Sequence, residues 1–144
     1  MKIFGHPVHL MLIHFPAALF PMDFACSLAG YILKDFSFTQ ASFYAMMGGA
    51  ALGCAAIITG TFDLLNVLNE KSSIVKKALL HGSINGTVVI VYIVLAFIAF
   101  KRYPQLEPDG ISRIILKGGL ITFMILGNYL GGSMILKDKI GIEK

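Results

Sequence analysis

The sequence predicts an all-α integral membrane protein, a four-transmembrane-helix up-down-up-down bundle with both termini on the same side. Three observations carry that prediction. Over 144 residues the chain is 56% hydrophobic and 14% charged, with a mean hydropathy of +0.77, outside the range of an ordinary soluble domain. The charged residues avoid the long apolar runs and collect in connectors. Four of those runs also reach the ~20 residues that a helix needs to cross ~30 Å of hydrocarbon.

The runs extend from about His9 to Leu33, Ala41 to Val67, Leu79 to Phe100 and Ile114 to Leu136, a single domain over residues 1–144. Pro104, Pro108 and Gly110 stop the helix in the last connector. Short connectors make successive helices antiparallel, so the termini and the second connector share one face, side A, and the other two connectors share side B. Side A carries Lys2, Lys71, Lys76, Lys77, Lys137, Lys139 and Lys144, against Lys34, Lys101, Arg102, Arg113 and Lys117 on side B. This mild excess favours a cytoplasmic side A. The first run carries His14, Pro16, Pro21 and Asp23 without a basic leader, which reads as a mature helix rather than a signal peptide. Pro16 and Pro21 are expected to kink it, and Asp23, about 21 Å from its start, is expected to meet water near side B.

Net charge +4, scattered through connectors, suits anionic lipid headgroups and excludes a nucleic-acid stripe. Cys26 and Cys54 both fall in apolar runs, where a thiol acts as a small hydrophobe. Glycines stand four apart at Gly49 and Gly53, Gly82 and Gly86, and Gly127 and Gly131. Such pairs let helices approach closely or make room for a flat macrocycle.

Every histidine falls on side A. Helix rise places His14, Asp63, His81, Asn85 and Asn128 in one half of the membrane, with His6 and His9 above them and Asn66 nearer the surface. His81 and Asn85 are four apart and share a helix face. Polar groups at this depth each cost about 2 to 3 kcal/mol on insertion scales, so they face the interior and find partners. Those partners are either one another or a ligand.

The segment Gly5-His6-Pro7-Val8-His9-Leu10-Met11-Leu12-Ile13-His14-Phe15-Pro16-Ala17-Ala18-Leu19, with Thr59-Gly60-Thr61-Phe62-Asp63, His81 with Asn85, and Leu130-Gly131-Gly132-Ser133-Met134-Ile135, resembles the bacterial membrane family catalogued as domain of unknown function 2231. Leu10 replaces a proline of the family pattern, and Asp138-Lys139 stands where the family often has His-Gly. The resemblance implies a multi-pass protein of the bacterial inner membrane. Relatives joined to cytochrome c-like or iron-sulfur domains point toward electron transfer, with quinone and other redox subunits as partners in an oligomer or larger complex.

Three functions follow as expectations. In the first, haem b is ligated by His14 and His81, with Gly82, Gly86, Gly131 and Gly132 making space and Asn85 or Asn128 orienting an imidazole. The second is a transition-metal site drawn from His6, His9, His14, Asp63 and His81. In the third, a cofactor-free structural subunit uses the same polar residues to lock its helices. No nucleophilic triad, phosphate loop or thiol pair supports a stand-alone enzyme.

Overall fold

The computed structural model describes residues 2–3 and 6–138, with side chains from residue 8 onward. The side chain of His6, and Lys139 and Lys144 of the side-A lysines, lie outside the described residues. Lys2–Ile3 (β1) pairs antiparallel with His6–Pro7 (β2). Helices follow at Val8–Leu12 (α1), His14–Leu33 (α2), Phe36–Val67 (α3), Ser72–Phe100 (α4) and Ile111–Leu136 (α5). Among the described residues, four spans are long and apolar enough to cross a membrane: α1 with α2, then α3, α4 and α5.

The helices start earlier than the apolar stretches, at Phe36 rather than Ala41 and at Ser72 rather than Leu79. Hydropathy marks the hydrocarbon slab, whereas a helix goes on satisfying its backbone into the headgroups. The 32 residues of α3 span about 48 Å, well beyond a hydrocarbon core of ~30 Å. The first span runs on through Ile13, the single residue between α1 and α2, which keeps helical dihedrals (φ −63°, ψ −21°), donates to His9 O at 3.0 Å and accepts from Ala17 N at 3.2 Å. Pro16, three residues on, has no amide proton to give the Leu12 carbonyl. Pro21 sits inside α2 without a break.

The turn from α2 to α3 is only Lys34 and Asp35. Lys34 adopts the left-handed conformation (φ 56°) while its N–H returns to Gly30 O at 3.1 Å. Asp35 then caps α3 by accepting the Ser37 N–H at 2.9 Å.

At mid-bundle the Phe20 and Tyr92 rings stack with centroids 3.7 Å apart and planes 6° apart. Both are fully buried, among Met46, Ala50, Val88 and Leu120. Two glycine pairs serve close approach. A Cβ on Gly49 would stand 2.6 Å from Phe20 Cε1, and one on Gly53 would stand 2.9 Å from Val89 Cγ1. Gly127 and Gly131 are filled by polar side chains of α4. Gly82 and Gly86 depart from the packing expectation, because nothing lies within 4 Å of either Cβ position. Large apolar side chains such as Ile32, Ile58, Ile90, Phe97, Ile115 and Leu136 cover the outer surface, as lipid as the solvent requires.

Gly49→Ala and Gly53→Ala are each expected to lower stability by about 1 to 3 kcal/mol through overpacking, and Gly82→Ala to stay within about 0.5 kcal/mol of the parent. Reversible unfolding in mixed micelles measures both.

Candidate functional site

Two polar layers are built into the bundle. On side A, His9 of α1 sits half-buried with Nδ1 3.0 Å from Ala56 O of α3 and 3.5 Å from Thr59 Oγ1. Its ring lies over Gly60, where a Cβ would stand 2.8 Å from His9 Cε1. His81 of α4 repeats the arrangement against α5. Its Nδ1 is 2.7 Å from Gly127 O, and a Cβ on Gly131 would stand 2.7 Å from its Cε1. A backbone carbonyl only accepts, so both rings carry their proton on Nδ1 and leave Nε2 as the lone-pair atom.

Asn85 Nδ2 lies 3.2 Å from His81 Nδ1, a contact rather than a hydrogen bond once Nδ1 gives its proton to Gly127 O, and Gly127 leaves the space its amide occupies. Asn85 Oδ1 is buried without a partner among the described residues. Asp63 and His81 both stand within electrostatic range of His9. Lys77 Nζ bonds Asp138 Oδ2 at 2.8 Å, tying α4 to the end of α5.

The remaining side-A residues are arranged differently from the expectation. His14 is exposed, because five residues along a helix turn it well away from the face that carries His9, and His9 is the histidine that reaches into the layer with His81. Asn66 is exposed and Asn128 half-buried. Gly132, like Gly82 and Gly86, opens onto space rather than onto a packed neighbour. Among the described residues no group of three or more His, Cys, Asp or Glu side chains is close enough to hold a metal ion.

The more deeply buried layer is on side B. Lys117 of α5 is 1% exposed and uses its three ammonium protons on Asp23 Oδ1 at 2.7 Å, Asp109 Oδ2 at 2.7 Å and Ser27 Oγ at 2.8 Å. Asp23, fully buried, also accepts from Ser42 Oγ at 2.6 Å. Ser27 donates either to Asp109 Oδ2 at 3.0 Å or to Ser42 Oγ at 2.9 Å, having one hydroxyl proton to give. Arg113 Nη1 holds the other oxygen of Asp109 at 2.8 Å. Two carboxylates and two cations therefore form one neutral quartet joining α2, α5 and the last connector, to which Ser42 ties α3.

The connector reaches the quartet because Tyr103 docks on α3, its ring stacked on Phe43 at 5.3 Å and its hydroxyl 3.3 Å from Tyr44 Oη. Burial pushes the Asp109 carboxyl up, but the Lys117 charge and the hydrogen bonds from Lys117, Arg113 and Ser27 outweigh it. They hold the group below its ordinary value of 3.8.

This layer corrects one expectation. Asp23 is not solvated at the side-B surface, because Lys117 and Ser42 reach it inside the bundle. Lys117, counted from sequence only among the side-B cations, is carried about 9 Å into the helix because α5 starts at Ile111.

A family model described as a predicted membrane protein, domain of unknown function 2231, matches residues 5–144. The chain belongs to that family. No curated protein and no solved structure matches it.

In this family member the side-B layer left a faint signal in the sequence. Lys117 is flanked by Ile114, Ile115, Leu116 and Leu120, and a lysine among such neighbours needs an anion at its own depth. Asp23 supplies one, with Ser27 four residues on and thus on the same helix face. Asp109 had no signal, since only the folding of the connector brings it to Lys117.

Lys117→Met strips the cation from two carboxylates and is expected to cost about 3 to 5 kcal/mol in micellar unfolding. Asp109 contributes as a depressed carboxylate, so its stabilisation is complete above pH 3.8 and is lost as pH falls through the lowered value. The stability difference between wild type and Asp109→Asn is therefore expected to be constant at neutral pH and to shrink only below that range.

Proposed function

We propose that this multi-pass membrane protein is an electron-transfer subunit of a larger complex in the bacterial inner membrane, in which His9 and His81 would hold the iron of a b-type haem on side A. The reading rests on one observation: two imidazoles from different helices both spend Nδ1 on a main-chain carbonyl, at Ala56 and Gly127, which leaves Nε2 of each as the ligating atom. Metal-ligating histidines are typically oriented in this way. The donor set fits haem iron, which takes two neutral imidazoles, better than a three-ligand metal centre.

Iron would supply one-electron chemistry to partner subunits or quinone. The chain's own part is to fix ring orientation through the two carbonyls, to seat the rings on Gly60 and Gly131, and to set the local field through Asp63 and Asn85. His14, the other candidate ligand, is exposed.

Reduced-minus-oxidised spectra of protein made with ample haem and purified in mild detergent test the reading. The expected result is b-type bands that His9→Ala and His81→Ala each remove and His14→Ala retains. Flat spectra, or bands that survive the loss of both His9 and His81, overturn it.

The same carbonyl bonds favour a second reading, a cofactor-free structural subunit in which His9 ties α1 to α3 and His81 ties α4 to α5. Under that reading His81→Ala costs about 0.6 kcal/mol, as interhelical hydrogen bonds in membranes average, and the spectra stay flat in every variant.

A further inference from the structure

The side-B quartet is incompletely satisfied. Asp23 is fully buried, yet its Oδ2 has no hydrogen-bond partner among the described residues. The Tyr92 hydroxyl, on a side chain that is also fully buried, has none either, and it stands within electrostatic range of Asp23 and Asp109. Thr39 Oγ1, on a residue 8% exposed, is a third buried orphan.

Thr39 lines a cavity of about 40 Å³ together with Ser42, Glu107, Asp109, Arg113 and Lys117. That volume holds one or two waters, and its polar walls give them partners. Arg102 and Glu107, both largely exposed, stand at its side-B rim. Toward side A the way is shut, because Phe20 lies one helical turn before Asp23 and stacks on Tyr92 within the apolar cluster of Met46, Ala50, Val88 and Leu120.

The two carboxylates are unequally served. Asp109 has Arg113 and Ser27 as well as its share of Lys117. Asp23 has Lys117 and Ser42, with the Ser27 hydroxyl more distant at 3.5 Å, all on Oδ1 and with no second cation among the described residues. A proton entering the quartet is therefore accepted where the negative charge is least compensated.

We infer that Asp23 is a proton-binding site served from side B by this cavity, whose lining residues Ser27, Ser42 and Lys117 all bond its Oδ1, and sealed from side A by the Phe20–Tyr92 stack. A proton from side-B water, relayed past the Ser27 and Ser42 hydroxyls, adds to the Asp23 carboxylate and converts it to a carboxylic acid. The Lys117 ammonium then remains with Asp109 alone, and the quartet gains one positive charge. The groups that face Asp23 in this exchange are Lys117 from α5, Ser42 from α3, Tyr92 from α4, Ser27 from its own helix and Asp109 from the connector. The inference stands independently of haem.

Infrared spectra of the full chain in lipid vesicles, recorded as the bathing medium is made more acidic, read the protonated carboxyl directly. One buried carboxylic-acid band is expected to grow with acidity, to vanish in Asp23→Asn and to survive in Asp35→Asn, whose carboxyl is solvated. Asp109→Asn gives Lys117 wholly to Asp23 and is expected to weaken the band on the order of tenfold at a given pH. That readout remains if Asp23→Asn fails to fold.

For sidedness, in a variant with Cys26 and Cys54 replaced by alanine, Thr39→Cys is expected to react with an impermeant maleimide added from side B, and Ala50→Cys to stay unreacted. Absence of any such band, a band that Asp23→Asn leaves in place, a band indifferent to Asp109→Asn, or labelling of Thr39→Cys only from side A overturns the inference.

Discussion

An ionised side chain inside a hydrocarbon slab has no water to return to, so every charge in this bundle needs an opposite charge at its own depth. Lys117 sets the terms. Its ammonium lies about 9 Å past the start of α5, and its three protons are spent on Asp23, Asp109 and Ser27. The connector must fold back to deliver Asp109, Tyr103 must dock on Phe43 to hold it there, and α2 must present Asp23 and Ser27 on one face. Ser42 brings α3 into the same set. Neutrality of the quartet is what makes the arrangement tolerable, since any one member removed leaves a bare charge in a low-dielectric interior.

The two ends of the bundle solve the polar problem differently. Side B uses formal charges that cancel. Side A uses imidazole rings that borrow backbone carbonyls from the neighbouring helix, at Ala56 and Gly127. The glycines follow that division. Gly49 and Gly53 let Phe20 and Val89 approach in the dry layer, whereas Gly60, Gly127 and Gly131 clear space for His9, Asn85 and His81. Between the two layers lies the Phe20–Tyr92 stack, set in the apolar cluster of Met46, Ala50, Val88 and Leu120.

The helices were legible because hydrocarbon thickness imposes a length and charge avoidance that composition reveals directly, and the ends at Leu33, Val67, Phe100 and Leu136 follow the loss of apolar residues. Starting points such as Phe36 and Ser72 were not, because hydrogen bonding carries a helix past the slab. The side-A layer was legible as a depth but not as a set of contacts. Rise per residue places His9, His14 and His81 near one face, but His9 and His14 lie on different faces of their span, and only its packing on α3 decides that His9 enters the bundle and His14 does not. Asp23 was visible as a residue and misjudged as solvated, and Lys117 was counted only as a side-B cation, since their pairing spans 94 positions of sequence. Asp109 depends on a connector whose path no local pattern encodes.

The central claim is that Lys117 and Asp23 interact directly inside the membrane. A double-mutant cycle tests it, comparing Asp23→Asn, Lys117→Gln and the double variant by unfolding in mixed micelles. The account predicts strong non-additivity, with the double variant more stable than the summed single losses imply by about 2 to 3 kcal/mol. Additive losses, with a coupling near zero, would contradict it.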